Sequence, residues 1–114
     1  MSSVQITRVS PDLALAPQLD PGTMAAVAAA GYRSVINNRP DFEAGPSQPT
    51  SAAIEAAARA AGLEYAYLPV HPALQTPEEV ERFAELLRTL PAPVLAFCRT
   101  GTRSGKLYRA TTAR

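Results

Sequence analysis

Short apolar runs recur along the chain and are separated by polar or alanine-rich segments. Five of these runs predict strands: residues 6–9, 13–16, 32–37, 65–70 and 94–97. The turn signal Ser10-Pro11-Asp12 joins the first two runs, which predicts a hairpin. The run at 94–97 is continuously apolar, as is typical of a strand that is buried on both faces.

Three segments between these runs have the signals of helices. The alanine-rich residues 24–30 follow Asp20-Pro21, a predicted N-cap and first helical position, and end at Gly31. A second alanine-rich helix is predicted at residues 51–61. The third has the clearest signal, because Thr76-Pro77-Glu78-Glu79 is a capping box. Its apolar residues recur at helical spacing: Val80, Phe83, Ala84, Leu87 and Leu90.

The alternation of strands and helices predicts the fold class. We expect one α/β domain over residues 1–114, with a mostly parallel central sheet flanked by helices in three layers. Ligands of such sheets bind beyond the carboxyl ends of the strands. Three loops are predicted there, after Ile36, Val70 and Phe97, and the first is unusually long at residues 38–50.

Composition and charge exclude several classes of function. The 114 residues include 11 Lys and Arg against 10 Asp and Glu, so we expect neither nucleic-acid nor membrane binding. No apolar run approaches the roughly 18 residues of a membrane span, and the N-terminal residues do not resemble a signal peptide. These observations predict a cytoplasmic protein. With one cysteine and one histidine, we expect no disulfide, no metal site and no cofactor.

The candidate chemistry lies in the segment Cys98-Arg99-Thr100-Gly101-Thr102-Arg103-Ser104-Gly105-Lys106. Here the cysteine leaves a buried strand and enters a glycine-containing turn before a predicted helix. Backbone N–H groups, the helix dipole and nearby cations all favour a thiolate at that place. The same groups would bind an oxyanion or stabilise a persulfide, and Gly101 permits the tight turn. An isolated cysteine is more commonly a small buried residue, but these polar and basic neighbours favour a reactive one.

Several segments together resemble a small bacterial family. They are Ile6-Thr7-Arg8-Val9, Ala16-Pro17-Gln18-Leu19, the segment from Val35 to Asp41, and the segment from Cys98 to Ser104. The family is the beta-lactamase-hydrolase-like, phosphatase-like domain family, which is also described as a sulfur transferase family. The resemblance implies a fold like that of dual-specificity phosphatases. It also implies that Cys98 is catalytic, that the anion-binding loop comprises Arg99, Thr100, Gly101, Thr102, Arg103 and Ser104, and that a sulfide- or persulfide-oxidising enzyme is a partner.

Loop length and leaving-group chemistry favour sulfur transfer over phosphate-ester hydrolysis. Cysteine-dependent phosphatases place five residues between cysteine and arginine, whereas four stand between Cys98 and Arg103, as in rhodanese-like loops. The expected function is therefore transfer of sulfane sulfur from a small anionic donor to a thiol acceptor through a Cys98 persulfide. A phosphatase with a Cys98 phosphoenzyme and a non-catalytic redox sensor or carrier remain alternatives. Arg39, Asp41 and His71 are candidate supporting residues, and Asp41 and His71 are the candidate acids of a phosphatase.

Overall fold

The computed structural model describes residues 5–113, so residues 1–4 and 114 of the predicted domain, including part of the N-terminal segment discussed above, lie outside the described residues. The strands are β1 (Thr7–Ser10), β2 (Leu13–Ala16), β3 (Ser34–Asn37), β4 (Glu64–Tyr67) and β5 (Val94–Phe97). The helices are α1 (Met24–Ala29), α2 (Ser51–Ala60), α3 (Pro77–Thr89) and α4 (Thr102–Thr112), and a 3₁₀ turn at Pro21–Thr23 precedes α1.

The five strands form one sheet in the order β1-β2-β5-β3-β4. All neighbours are parallel except β1 and β2, which form the predicted antiparallel hairpin. β5 is the central strand, and it pairs with β2 on one side and β3 on the other. The predicted α/β fold class is therefore confirmed, and the loop after β5 begins at the middle of the sheet.

The apolar core lies on both faces of the sheet, which explains the continuous apolar run of β5. Leu95 and Phe97 pack with α1 and α2, whereas Val94 and Ala96 pack with α3 and α4. All four residues of β5 are buried because alternate side chains point to opposite faces. The three-layer arrangement thus follows from burying both faces of one central strand.

Some element boundaries differ from the sequence prediction. The capping box of α3 is present, and Thr50 caps α2. Asp20 is the predicted N-cap and Pro21 the predicted first residue, but of a 3₁₀ turn that precedes α1, and Asp20 makes no side-chain capping bond. The predicted strand 65–70 is shorter, and β4 ends at Tyr67. No helix of residues 5–113 is long and apolar enough to cross a membrane.

Candidate active site

Cys98 follows β5 directly and lies between the loops that leave the two neighbouring strands. The N–H of Asn38 donates to the carbonyl of Phe97 at 2.8 Å, and the N–H of Gln18 donates to the carbonyl of Arg99 at 3.1 Å. These two bonds fix the backbone on both sides of the cysteine. The cysteine is 1% exposed, and its Sγ accepts a hydrogen bond of 3.0 Å from the N–H of Gly101.

Gly101 is the N-cap of α4 and has a backbone conformation that few other residues adopt. Its φ is 92°, in the left-handed region where an L side chain is strained. A Cβ there would lie 3.5 Å from the carbonyl oxygen of Ala16, which is an ordinary contact. The φ angle rather than crowding therefore requires glycine at this turn.

The sequence suggested a loop over residues 98–106, but α4 already begins at Thr102. Thr102, Arg103 and Ser104 already belong to its first turn, which closes when the N–H of Gly105 donates to the carbonyl of Gly101 at 3.0 Å. The N-cap, Gly101, has no side chain to cap this end of the helix, and the N–H of Thr102 makes only a long hydrogen bond of 3.4 Å to Oγ1 of Thr100. The first turn contains no acidic residue. The start of α4 is consequently an electropositive end beside a sulfur atom.

A pocket of about 260 Å³ opens at this place. Its lining residues are Pro72, Cys98, Arg99, Thr100, Thr102, Arg103 and Lys106. Three of them are cations and none is a carboxylate, so the pocket is suited to an anion. The hydroxyl of Thr100 donates to that of Thr102 at 3.0 Å. The structure thus brings together most of the residues that the sequence singled out.

Ser104, in contrast, is directed away from the pocket. It is fully buried, and its hydroxyl donates to Oδ1 of Asn38 at 2.8 Å. Asn38 in turn donates through Nδ2 to the carbonyl of Leu68 at 2.9 Å. This chain of hydrogen bonds joins α4 to the segments that follow β3 and β4. In this structure Ser104 therefore ties the loops together instead of lining the anion site.

Arg103 is held by a carboxylate that the sequence analysis did not single out. Its Nη1 and Nη2 donate to the two carboxylate oxygens of Glu43 at 2.9 and 3.1 Å, and Nη1 also donates to the carbonyl of Val70 at 3.0 Å. Nε of Arg39 donates to the same carboxylate at 2.9 Å. Only the acidic character of Glu43, in a loop predicted to lie beside the cysteine, could have indicated this role.

The pKa of Glu43 reflects these contacts. Partial burial raises it, but the hydrogen bonds and charges of Arg103 and Arg39 together outweigh burial and hold it below the ordinary value of 4.5. Glu43 is therefore ionised near neutral pH. A carboxylate in this state is an acceptor and a poor proton donor.

The long loop 38–50 that carries Glu43 is firmly attached to the rest of the domain. The N–H of Asp41 donates to Oη of Tyr67 at 2.9 Å, and its carboxylate accepts from the N–H of Ser51 at 2.7 Å. The side chain of Gln48 donates to the carbonyl of Pro40 and accepts from the N–H of Ala44. The carboxylate of Asp41 thus stabilises the start of α2, and Asp41 is absent from the lining of the cysteine pocket.

His71 lies in the turn that follows Val70. Its Nδ1 accepts a hydrogen bond of 3.0 Å from the N–H of Ala73, so the proton of the neutral ring is on Nε2. The side chain is exposed and lines a neighbouring cavity together with Arg103 and Lys106. Of the two acid candidates, His71 is therefore the one that lies beside the cationic residues of the pocket.

Among residues 5–113, no group of three or more His, Cys, Asp or Glu side chains is arranged to hold a metal ion.

Similar proteins were found by sequence and by structure. A beta-lactamase hydrolase-like protein of Xylella fastidiosa is 38% identical over 105 residues, which are 92% of this chain and 24% of that protein. A candidate phosphatase from Neisseria meningitidis has a TM-score of 0.83 and is 36% identical, covering 90% of this chain and 72% of that one. P. aeruginosa TpbA, crystallised with phosphotyrosine, has a TM-score of 0.66 at 20% identity, covering 96% and 69% of the two chains, and shows the fold alone.

The family comparison agrees with these relatives and confirms the resemblance seen in the sequence. Residues 5–114 match the family described as "Beta-lactamase hydrolase-like protein, phosphatase-like domain". The chain spans about a quarter of the length of the curated relatives it matches. It belongs to this family of phosphatase-like domains.

Proposed function

We propose that this phosphatase-like domain hydrolyses aryl phosphate monoesters through a phosphoenzyme on Cys98. The observation that carries the proposal is Sγ of Cys98, which accepts a hydrogen bond from the N–H of Gly101 at a pocket lined by three cations, one of which, Arg103, is paired with Glu43. The positive end of the α4 dipole and these cations favour a bound dianion. The Neisseria meningitidis relative, which is 36% identical, is described as a candidate phosphatase, which favours a phosphoryl group over sulfur as the group transferred.

The chemistry requires two displacements at phosphorus. The thiolate of Cys98 attacks the phosphorus atom, an S–P bond forms, and the bond between phosphorus and the aryl oxygen breaks with its electron pair on oxygen. Water then attacks the phosphoenzyme, which releases inorganic phosphate and restores the thiolate. Arg103 and the backbone N–H groups of the loop would stabilise the negative charge on the phosphoryl oxygens in both steps.

The leaving group decides the substrate class that we propose. A phenol has a pKa of about 10, so a phenolate leaves with much less help from an acid than an alkoxide does. Asp41 is bonded to the start of α2, and Glu43 is ionised between two arginines. Nδ1 of His71 accepts a hydrogen bond from the N–H of Ala73, which it can do only in a neutral ring, and a neutral imidazole N–H is too weak an acid to protonate a leaving group. Solvent is therefore the source of the proton in this proposal. Aryl esters therefore fit this site better than alkyl esters.

Sulfur transfer is the second candidate, and the absence of a carboxylate from the pocket lining favours it. The thiolate would attack the outer sulfur of thiosulfate, and sulfite would leave with the electron pair without needing a proton. The persulfide would then pass its outer sulfur to cyanide or a thiol, which restores the thiolate. The four-residue spacing between Cys98 and Arg103 fits this chemistry as well. For that reaction a thiol acceptor and a sulfide- or persulfide-oxidising partner stay as proposals.

One paired assay tests both candidates. Wild type, Cys98→Ser and a control variant, Glu55→Gln, are compared for phosphate release from an aryl phosphate and for thiocyanate formation from thiosulfate and cyanide. Glu55 is the control because it forms an exposed ion pair with Arg59 in α2. We expect multiple turnovers of phosphate release, a loss of at least about a thousandfold in Cys98→Ser, and no change in the exposed control. Thiocyanate alone would overturn the phosphatase proposal, and a single stoichiometric reaction of the thiol would support a redox sensor or carrier.

A further inference from the structure

The five N–H donors of the Arg103 guanidinium fall into two groups, those that have an acceptor in the protein and those that do not. Both Nη1 donors are engaged, one by Glu43 and one by the carbonyl of Val70, and one Nη2 donor is engaged by Glu43. Within residues 5–113, no partner is found for Nε or for the second Nη2 donor. Those two groups lie along the same edge of the planar guanidinium, which is one of the two edges that can bind an oxyanion in a bidentate manner. The other edge is occupied by the carboxylate.

The Glu43 carboxylate that binds Arg103 is also bound by a second arginine, Arg39. Arg39 donates through Nε to Glu43 and through Nη1 to Oε1 of Gln18 at 3.1 Å, and its backbone N–H donates to Oδ1 of Asn37 at 2.9 Å. The side chains of Arg39, Glu43 and Arg103 are 8%, 20% and 10% exposed. The three residues thus form a largely buried cluster with a net charge of +1, and side-chain motion in it is restricted.

We infer that Glu43 is a positioning residue, which holds one edge of the Arg103 guanidinium so that the other edge is left free for the oxyanion of the substrate. This inference rests on the proposed function, in which Arg103 binds the anion. Arg39 is the second counter-ion of Glu43, and it holds the carboxylate in place if the Arg103 side chain rotates. The competing hypothesis is that Glu43 acts as an internal anion that reduces the affinity of the pocket for its substrate.

The two hypotheses predict opposite effects of removing the carboxylate charge. Glu43→Gln keeps the size of the side chain but replaces one acceptor oxygen with a donor, so the bidentate contact is lost. Glu43→Asp keeps the charge and shortens the reach by one methylene. If Glu43 positions Arg103, both variants weaken anion binding. If Glu43 competes with the substrate, Glu43→Gln strengthens anion binding instead.

The test compares the rates at which an anionic and a neutral reagent alkylate Cys98. We expect the ratio of the iodoacetate rate to the iodoacetamide rate to fall about tenfold in Glu43→Gln and about threefold in Glu43→Asp. The iodoacetamide rate should change by less than about twofold, since a neutral reagent does not need the arginine. Glu55→Gln, from the exposed ion pair with Arg59, should leave both rates unchanged.

This readout separates the inference from the proposed function. It needs only a reactive Cys98, so it remains informative even if wild type hydrolyses no aryl phosphate. An unchanged or increased ratio in both Glu43 variants would overturn the positioning role. Equal losses with both reagents would indicate a general collapse of the loop and would overturn it as well. If Glu43→Gln does not fold, the comparison of Glu43→Asp with wild type decides.

Discussion

The first turns of α3 and α4 show two opposite uses of a helix N-terminus. At α3 the hydroxyl of Thr76 accepts from the N–H of Glu79 at 3.1 Å, and the carboxylate of Glu79 accepts from the N–H of Thr76 at 2.8 Å. At α4 the N-cap is Gly101, which has no side chain to offer, and the N–H of Gly101 donates to a sulfur. The first turn of α3 contains two acidic residues, and that of α4 contains none.

This difference shows what distinguishes a structural helix start from a binding one. In α3 the exposed amides and the positive end of the dipole are neutralised by residues of the helix itself. In α4 no acidic residue of the first turn neutralises them, and the proposed function assigns this end of the helix to the anionic substrate. With glycine instead of a capping side chain at position 101, α4 loses some stability, but its N-terminus beside Cys98 stays electropositive.

The largest effect is expected from changing the backbone at the open helix start. Gly101→Ala should lower phosphatase activity about a hundredfold, because a φ of 92° is strained for alanine and relief of the strain moves the N–H that faces Cys98. Gly62→Ala is the matched control, since Gly62 has a φ of 85° and open space around it. Steady-state kinetics and thermal unfolding measure both. Equal activity losses in the two variants would show that the site needs only a stable fold.

A smaller effect is expected when the α4 start is made to resemble that of α3. Thr102→Glu places a carboxylate in the first turn, where it lines the anion pocket. We expect KM for an aryl phosphate to rise about tenfold by charge repulsion, while the helix gains about 0.3–1 kcal/mol from the dipole. Thr102→Gln controls for size. Kinetics in low and high salt check the result, and a KM that stays at the Gln value would contradict an electrostatic role for this end.

The converse change removes the cap from α3. Thr76→Ala should lower the free energy of unfolding by about 1 kcal/mol, because the N–H of Glu79 loses the hydroxyl that accepts its hydrogen bond. Activity should stay within about twofold of wild type, since α3 begins outside the pocket. Urea unfolding and kinetics are the measurements, with Thr76→Ser as the variant that retains the hydroxyl. A large activity loss in a folded Thr76→Ala protein would mean that the two helix starts are coupled.

The smallest effect is expected at Glu43, which belongs to the loop after β3 and contacts Arg103 in the first turn of α4. The folded-state pKa of Glu43 lies below the unfolded value, so its contribution to stability is present above about pH 4.5 and is lost as the pH falls through the folded pKa. We expect Glu43→Gln to be less stable than wild type by about 1 kcal/mol at neutral pH. That difference should shrink in acid. Urea unfolding at several pH values checks this, and a difference that grows in acid would contradict the assignment.

The sequence predicted the features that depend on near neighbours along the chain. The capping box at Thr76 and the apolar run of β5 each involve residues a few positions apart, and both were found as expected. The cysteine loop was recognised for the same reason, because its cations and glycine follow one strand directly. Its boundary was less predictable. A short polar segment does not reveal whether its second half is already helical.

The residues that sequence analysis placed less well are those with distant partners. Ser104 stands in the loop segment but bonds to Asn38, and Asp41, a candidate acid, bonds to the start of α2. Glu43 was not singled out because its contact with Arg103 joins positions sixty residues apart. Loop length and leaving-group chemistry favoured sulfur transfer, whereas the family and the Neisseria meningitidis relative favour a phosphatase.

The sequence was therefore sufficient to predict the order of strands and helices along the chain, the capped start of α3 and the place of Cys98 directly after β5. These follow from periodicity, capping and turn chemistry, which act over a few residues. Only the tertiary structure decided which side chains meet Cys98 and which are used elsewhere. The reason is that the loops after β3, β4 and β5 are distant in the chain, and parallel pairing brings their starts to one edge of the sheet.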